Sequence, residues 1–209
     1  MKKILYSSAI ALLMVITVWA DEFGFGSITT NASNRDMIAG QLFMEANTLD
    51  DTTSSTLFTN TGPSLSSISE IYFGSKLTTL DLNIESAISG SPGVLFDISG
   101  ARPANPPGLE EFSNWWSVTI ASAESKAPTS RNGINPYEYF EMELSYNSSL
   151  TLSELIQSGE VQVALHVISI GDYSDTFVNN TSLIPEPTSL ILLGSVGSLM
   201  GFVRKRFSA

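Results

Sequence analysis

The sequence predicts an all-β domain, an antiparallel β-sandwich of jelly-roll type, placed between two terminal apolar segments. Three observations predict it: short runs alternate between apolar and polar residues, clusters of glycine and proline separate these runs, and one stretch alone has a helical pattern. An up-and-down barrel built from the same strands is the alternative. With 209 residues, 43% of them hydrophobic, the chain is long enough to bury a core.

The first 20 residues have the layout of a secretory signal peptide. Lys2 and Lys3 precede an apolar run, and Val18 and Ala20 are the small residues expected just before a cleavage site. We therefore predict a signal helix that is removed after Ala20. An uncleaved membrane anchor is the alternative.

The strands of the middle region are predicted from their period of two. In the clearest strand, 138–146, Phe140 and Met142 fall on one face while Glu141 and Glu143 fall on the other. The same pattern predicts eight more strands, over residues 23–30, 41–47, 55–60, 68–73, 77–84, 94–98, 116–121 and 161–170. The stretch 178–188 is predicted to be a polar linker.

One helix is predicted after the strand 138–146. Thr151 and Glu154 have the spacing of a capping box, in which each side chain bonds the backbone N–H of the other residue. Gly159 can end this helix after two turns.

The chain ends in a second apolar run, residues 188–203, followed by Arg204, Lys205 and Arg206. As a helix this run would be about 24 Å long, which is short for a hydrocarbon core of roughly 30 Å. We predict a single transmembrane helix. Because cations flanking a span stay on the cytoplasmic side, Arg204, Lys205 and Arg206 set its orientation and leave the rest of the chain outside the cytoplasm.

Pro185, Glu186 and Pro187 stand directly before this apolar run. Two prolines neither continue a helix nor pair within a sheet, so the tripeptide should be extended and accessible. The order Pro-Glu-Pro, short apolar helix and basic cluster resembles the PEP-CTERM sorting signal of Gram-negative, exopolysaccharide-producing bacteria. The resemblance implies that an exosortase-type membrane transpeptidase recognises and processes the tail. Ile184 departs mildly from the family, where valine is usual.

The distribution of charge excludes nucleic acid as a partner. All 21 acidic residues lie between Asp21 and Glu186, and five of the ten Lys and Arg residues lie in the terminal segments. The interior therefore carries five cations against 21 acids, and such a surface repels phosphates. The chain has no cysteine, which excludes disulfides, thiolate metal sites and cysteine nucleophiles. No cofactor is predicted.

His166 is the only histidine, and it falls on the polar face of the strand 161–170, beside Gln162 and Ala164. A catalytic triad would need a serine and an acid aimed at it, and the chain has no GxSxG motif. We predict a half-exposed structural histidine.

Three further groups are weaker candidates. Glu141 and Glu143 are about 7 Å apart along a strand, which is within the range of inverting glycosidases, but solvent-facing pairs of this kind are common. Asp172 and Asp175 lie in a loop and form a weak candidate for calcium, as do the adjacent acids 50–51, although solvated turn residues are the default interpretation.

Trp115 and Trp116 are adjacent in a predicted strand, so their side chains should point to opposite faces. One would fill the core. The other is a candidate carbohydrate contact, because an exposed indole offers a flat apolar face to a sugar ring. Packing of that second indole under the proline-rich stretch 103–108 is the alternative.

The sequence therefore predicts three parts of the chain: a signal peptide (1–20), an extracytoplasmic β-sandwich domain (21–182) and a sorting signal (183–209). The protein is expected to cross the inner membrane, to remain tail-anchored there until it is processed, and then to reach the cell surface or extracellular matrix. The mature domain is expected to be structural or binding, with no catalysis. A carbohydrate-binding module associated with exopolysaccharide is the alternative, and a glycan-active enzyme is a more remote one.

Overall fold

The computed structural model describes residues 20–102, 104–109 and 118–183, with the side chains of 181–183 excepted. The predicted signal helix and the apolar run of the tail lie outside these ranges, so both stay predictions. Among the described residues, none of the helices has the length and apolar character needed to span a bilayer.

Strands dominate the described chain. They are β1 (Asp21–Ser27), β2 (Leu42–Thr48), β3 (Thr53–Asn60), β4 (Ser67–Ser75), β5 (Leu82–Gly90), β6 (Phe96–Asp97), β7 (Val118–Ser125), β8 (Glu138–Tyr146), β9 (Val161–Ile170) and β10 (Tyr173–Leu183). The helices are short: α1 (Arg35–Ala39), α2 (Thr129–Asn132) and α3 (Leu152–Gln157). Each of the nine predicted strands has a counterpart, although β5 begins five residues later than expected.

The strands form one antiparallel sheet in the order β5-β8-β3-β2-β1-β10-β9-β4-β7-β6. Its two halves face each other around the core. Phe58 of β3 and Phe73 of β4 meet there edge to face, with ring centroids 6.2 Å apart. Phe96 of β6 likewise stacks on Phe140 of β8 at 4.6 Å.

The antiparallel all-β class is therefore confirmed, but the jelly-roll arrangement of two separate sheets is wrong. The pairing of β1 with β10 joins the two halves into one continuous sheet. Cα atoms of β5 and β7 also come within 8 Å of each other without a ladder between them in the described chain. The result is a nearly closed, barrel-like sheet. Alternation shows which side chains face the core, but it does not show which strands share hydrogen bonds.

Strand β10 has no counterpart among the predicted strands, and about half of it falls in the predicted linker 178–188. The reason is that two of its inward positions are polar. Asp175 and Asn179 are each 1% exposed, and the Asn179 side-chain oxygen accepts a hydrogen bond from the Val163 N–H at 2.6 Å. These buried polar side chains, and a bulge between Tyr173 and Asp175, hide the period of two.

Helix α3 confirms the predicted capping box. The Thr151 hydroxyl accepts from the Glu154 N–H, and the Glu154 carboxylate accepts from the Thr151 N–H at 2.8 Å. These hydrogen bonds, from the Thr151 backbone first and its hydroxyl second, lower the pKa of Glu154. Gly159 follows the helix with φ of +73°, as expected for a helix end.

Residues from the described ranges 98–102 and 104–109 cover one part of the outer surface of the sheet. Ala101 and Leu109 pack against Tyr72 of β4, Ala164 of β9 and Val178 of β10. Strands β4 and β9 are consequently covered on both faces, whereas the outer surface of β5 and β8 is open to solvent.

Candidate functional site

The two ends of the folded body lie side by side. Strand β1 starts at Asp21, immediately after the predicted signal-peptide cleavage site, and β10 ends at Leu183. The two strands pair antiparallel, with Phe23 opposite Leu183. The start of β1 and the end of β10 therefore emerge at the same end of one ladder, and a single residue separates Leu183 from Pro185.

The residues that would carry sorting lie beyond this point. Pro185, Glu186 and Pro187 follow the last described residue closely, and the basic cluster 204–206 stands at the end of the tail. The candidate sugar contacts Trp115 and Trp116 also lie outside the described ranges. All of these stay predictions.

His166 takes part in a polar network on the outer face of the sheet. Its Nδ1 atom lies 2.9 Å from Oε2 of Glu70 on the neighbouring strand β4. The Tyr72 hydroxyl donates to the same Glu70 oxygen at 2.7 Å. The His166 side chain is only 15% exposed, so it is more buried than the predicted half-exposed histidine.

The network does not have the geometry of a catalytic triad. The Ser69 hydroxyl lies 3.4 Å from Nδ1 of His166, the same nitrogen that Glu70 contacts, whereas a triad places the acid and the nucleophile on different ring nitrogens. Burial, then the hydrogen bond and charge of Glu70, then the charge of Glu124, raise the pKa of Tyr72 far above its usual value. Tyr72 therefore stays a neutral phenol that holds Glu70 in place.

A cavity of about 220 Å³ lies beside His166. Its walls come from the loop 29–31, from Pro107 and Gly108, and from residues 174–176 of β10. The Thr176 hydroxyl donates to the Pro107 carbonyl at 2.7 Å, which fixes the proline-rich segment at the rim.

Asp175, at the wall of this cavity, has a carboxylate that accepts hydrogen bonds from the chain after β1. Oδ1 accepts from the Thr29 hydroxyl at 2.7 Å and from the Asn31 N–H at 2.9 Å, while Oδ2 accepts from the Ala32 N–H at 2.8 Å. The side chain is buried, and it ties the chain that follows β1 to strand β10.

The candidate calcium residues are not in one environment, because Asp172 is exposed in the turn before β10 whereas Asp175 is buried. The Asp50 carboxylate accepts from the Thr52 N–H at 2.8 Å within its own turn, and this bond, as the first cause, lowers the pKa of Asp50. The described residues contain no group of three or more His, Cys, Asp or Glu side chains suited to a metal.

Glu141 and Glu143 lie on the open outer surface, as predicted. Glu141 accepts from the Ser89 hydroxyl of β5 at 2.9 Å, and Glu143 accepts from the Ser86 hydroxyl at 3.3 Å. Neither carboxylate lines the cavity beside His166 or the larger one described next.

The larger cavity, of about 390 Å³, lies at the seam where the sheet nearly closes. Residues 82–84 of β5 and 119–122 of β7 form its two sides, and residues 98–101 and Ala104 cover it. The lining side chains are neutral, a mixture of aliphatic groups, hydroxyls and one amide.

Sequence reasoning missed the partners of His166. One signal was present: Glu70 is the one charged residue in the predicted strand 68–73, and a charged residue in a buried strand is rarely without a partner. Which residue that partner is depends on the β4–β9 register, and alternation alone does not give that register.

Comparisons of the chain with protein-family models, with curated proteins and with solved structures find no match.

Proposed function

We propose that the protein is an exported surface or extracellular-matrix component whose C-terminal tail is a PEP-CTERM sorting signal. In this proposal residues 1–20 form the signal helix and residues 188–203 a single transmembrane helix. An exosortase-type transpeptidase recognises Pro185, Glu186 and Pro187, while Arg204, Lys205 and Arg206 orient the tail in the inner membrane.

The observation that carries the proposal is the order of the tail: Pro-Glu-Pro, a short uncharged apolar run, then three cations. The placement of the folded body supports it. Every described strand lies between Asp21 and Leu183, so removal of both terminal segments would take no strand from the sheet. The adjacent ends of β1 and β10 would place both processing sites at the end of the body that faces the membrane.

The mature body is proposed to act by binding or by building structure. The Glu70–His166–Tyr72 network supports this role, because Glu70 and Ser69 contact the same ring nitrogen of His166 and so do not form a triad. The alternative is a carbohydrate-binding module associated with exopolysaccharide. It is favoured by the open, hydroxyl-rich outer surface of β5 and β8.

The proposal is tested by producing the full chain in a Gram-negative bacterium that exports proteins but has no exosortase. We expect a chain that starts at Asp21, keeps its tail, fractionates with the inner membrane and is digested by protease added to spheroplasts. A triple change of Arg204, Lys205 and Arg206 to glutamate should disturb this orientation, since acidic residues do not hold a helix end in the cytoplasm.

The matched control changes three cations of the body, Arg35, Lys126 and Arg131, to glutamate, and fractionation should then stay as in the parent. Recovery of the parent chain in the soluble fraction with Met1 still present would contradict both export and anchoring.

A further inference from the structure

The ring of Tyr137 lies flat on the backbone of Gly62. A β-carbon placed on Gly62 would stand 2.8 Å from Cζ of Tyr137 and 3.0 Å from both Cε atoms. Gly62 approaches the face of the ring and not its edge, because all three ring atoms are almost equally close to this point. Only a residue without a side chain leaves room for this contact, and Gly62 also has a φ of +64°.

The opposite face of the Tyr137 ring is open. Its side chain is 73% exposed although one face is covered, which makes Tyr137 the most exposed aromatic residue in the described chain. Tyr139, two residues further on, is 40% exposed on the outer surface of β8. The two rings stand at one end of the open surface formed by β5 and β8.

Tyr137 is held in a costly backbone conformation. Its φ is +69°, a region that residues other than glycine, asparagine and aspartate seldom adopt. The Tyr137 N–H donates to the Asn60 carbonyl at 2.6 Å, which locks the residue to the end of β3. A rigid, strained and exposed aromatic ring that buries little surface adds little to the fold, so a binding role accounts for it better.

The surroundings of the ring select the class of ligand. Carboxylates and hydroxyls follow Tyr139 along the outer surface, in the pairs Glu141–Ser89 and Glu143–Ser86. Such groups accept hydrogen bonds from sugar hydroxyls and repel polyanions. Nucleobases also stack on tyrosine, but a net charge of −11 opposes their phosphates. A neutral pyranose, with an apolar C–H face and a hydroxyl rim, satisfies both the ring and the carboxylates.

We propose that Tyr137, backed by Gly62, is a stacking platform for a neutral polysaccharide that continues past Tyr139 along the outer surface of β8. The inference rests on the binding role proposed above and gives it a ligand class and a site. The test measures polysaccharide binding by the purified full chain. A negative binding result would therefore leave the sorting proposal untouched, and a failure of sorting would be seen only in the fractionation experiment.

The experiment is native gel electrophoresis of the full chain, in a polyoxyethylene detergent that carries no sugar headgroup. The gels contain hydroxyethyl cellulose, xyloglucan, dextran or galactomannan as neutral polysaccharides, and alginate as a polyanion. We expect retardation in at least one neutral gel and none in alginate. Tyr137→Ala should weaken that retardation about tenfold or more, as loss of an aromatic anchor does at other interfaces.

Three variants separate binding from folding. Tyr137→Phe keeps the ring and should bind within about twofold of the parent. Tyr137→Asn removes the ring but suits a positive φ, so it should lose binding while its melting temperature is unchanged or raised. Tyr173→Ala, which removes a ring that is 59% exposed in the turn before β10, should bind like the parent.

Several outcomes would overturn the inference. These are no retardation in any neutral gel, equal retardation in alginate, and full retardation of Tyr137→Ala. A clear fall in the melting temperature of Tyr137→Asn would also overturn it, because this result would show that the ring stabilises the fold.

Discussion

Replacement of Pro185, Glu186 and Pro187 together by alanine is expected to leave the full-length chain in the inner membrane of a host that has exosortase. In the proposed tail the two prolines would keep the tripeptide extended, whereas three alanines would let the proposed helix over 188–203 grow toward the folded body. A processing enzyme in the membrane would then meet a helix in place of an accessible, extended strand. Processing should fall from complete to undetectable, as read by immunoblot of membrane and culture fractions.

Two controls make this result specific. A change of Phe207 and Ser208 to alanine alters the tail beyond the basic cluster and should leave processing intact. Glu186→Gln keeps both prolines and tests the charge alone. If this change reduces processing only in part, the rest of the effect of the triple-alanine change comes from the extended backbone that the prolines impose. Unchanged release of the triple-alanine chain would contradict the sorting proposal.

Asp175→Ala is expected to have the largest effect on the stability of the folded body, a loss of about 3 kcal/mol in the free energy of unfolding. The change leaves the buried N–H of Ala32, the N–H of Asn31 and the Thr29 hydroxyl without their acceptor. The loss of stability is large because these donors lie where the chain after β1 meets β10, so water does not replace the carboxylate freely. Urea unfolding followed by circular dichroism measures the change in the free energy of unfolding.

Asp175→Asn should give an intermediate loss of about 1 to 2 kcal/mol, because the amide keeps one acceptor oxygen but turns an N–H toward a backbone donor. Asp172→Ala, in the exposed turn three residues earlier, should change stability by less than about 0.5 kcal/mol. Equal effects at Asp172 and Asp175 would refute the assigned role of Asp175.

The sequence contained most of the strand content of this fold, but less of its connectivity. Strands such as β8 were predicted because Phe140, Met142 and Leu144 alternate cleanly with glutamate and serine. Strand β10 lacks a clear alternation because polar side chains occupy two inward positions, where Asp175 bonds Thr29 and Asn179 bonds Val163 of β9. Strand β10 lies between β1 and β9, and without it the continuous sheet was predicted as a sandwich.

For the candidate sites as well, the sequence predicted positions along a strand but not contacts between distant residues. Glu141 and Glu143 were placed correctly on the outer surface, since strand direction alone decides that position. The contact of Glu70 with His166 and the seat of Tyr137 on Gly62 were not predicted, because each joins residues more than 70 positions apart. Such contacts follow from sheet register and loop conformation, and neither has a periodic signal in the sequence.

The sorting proposal is best tested by the intact mass of the mature protein from an exosortase-containing host. We expect a chain that begins at Asp21 and ends at or close to the Pro185–Pro187 segment, with the mass of any attached group added. A mass of 22.5 kDa, that of the whole chain from Met1 to Ala209, would contradict it.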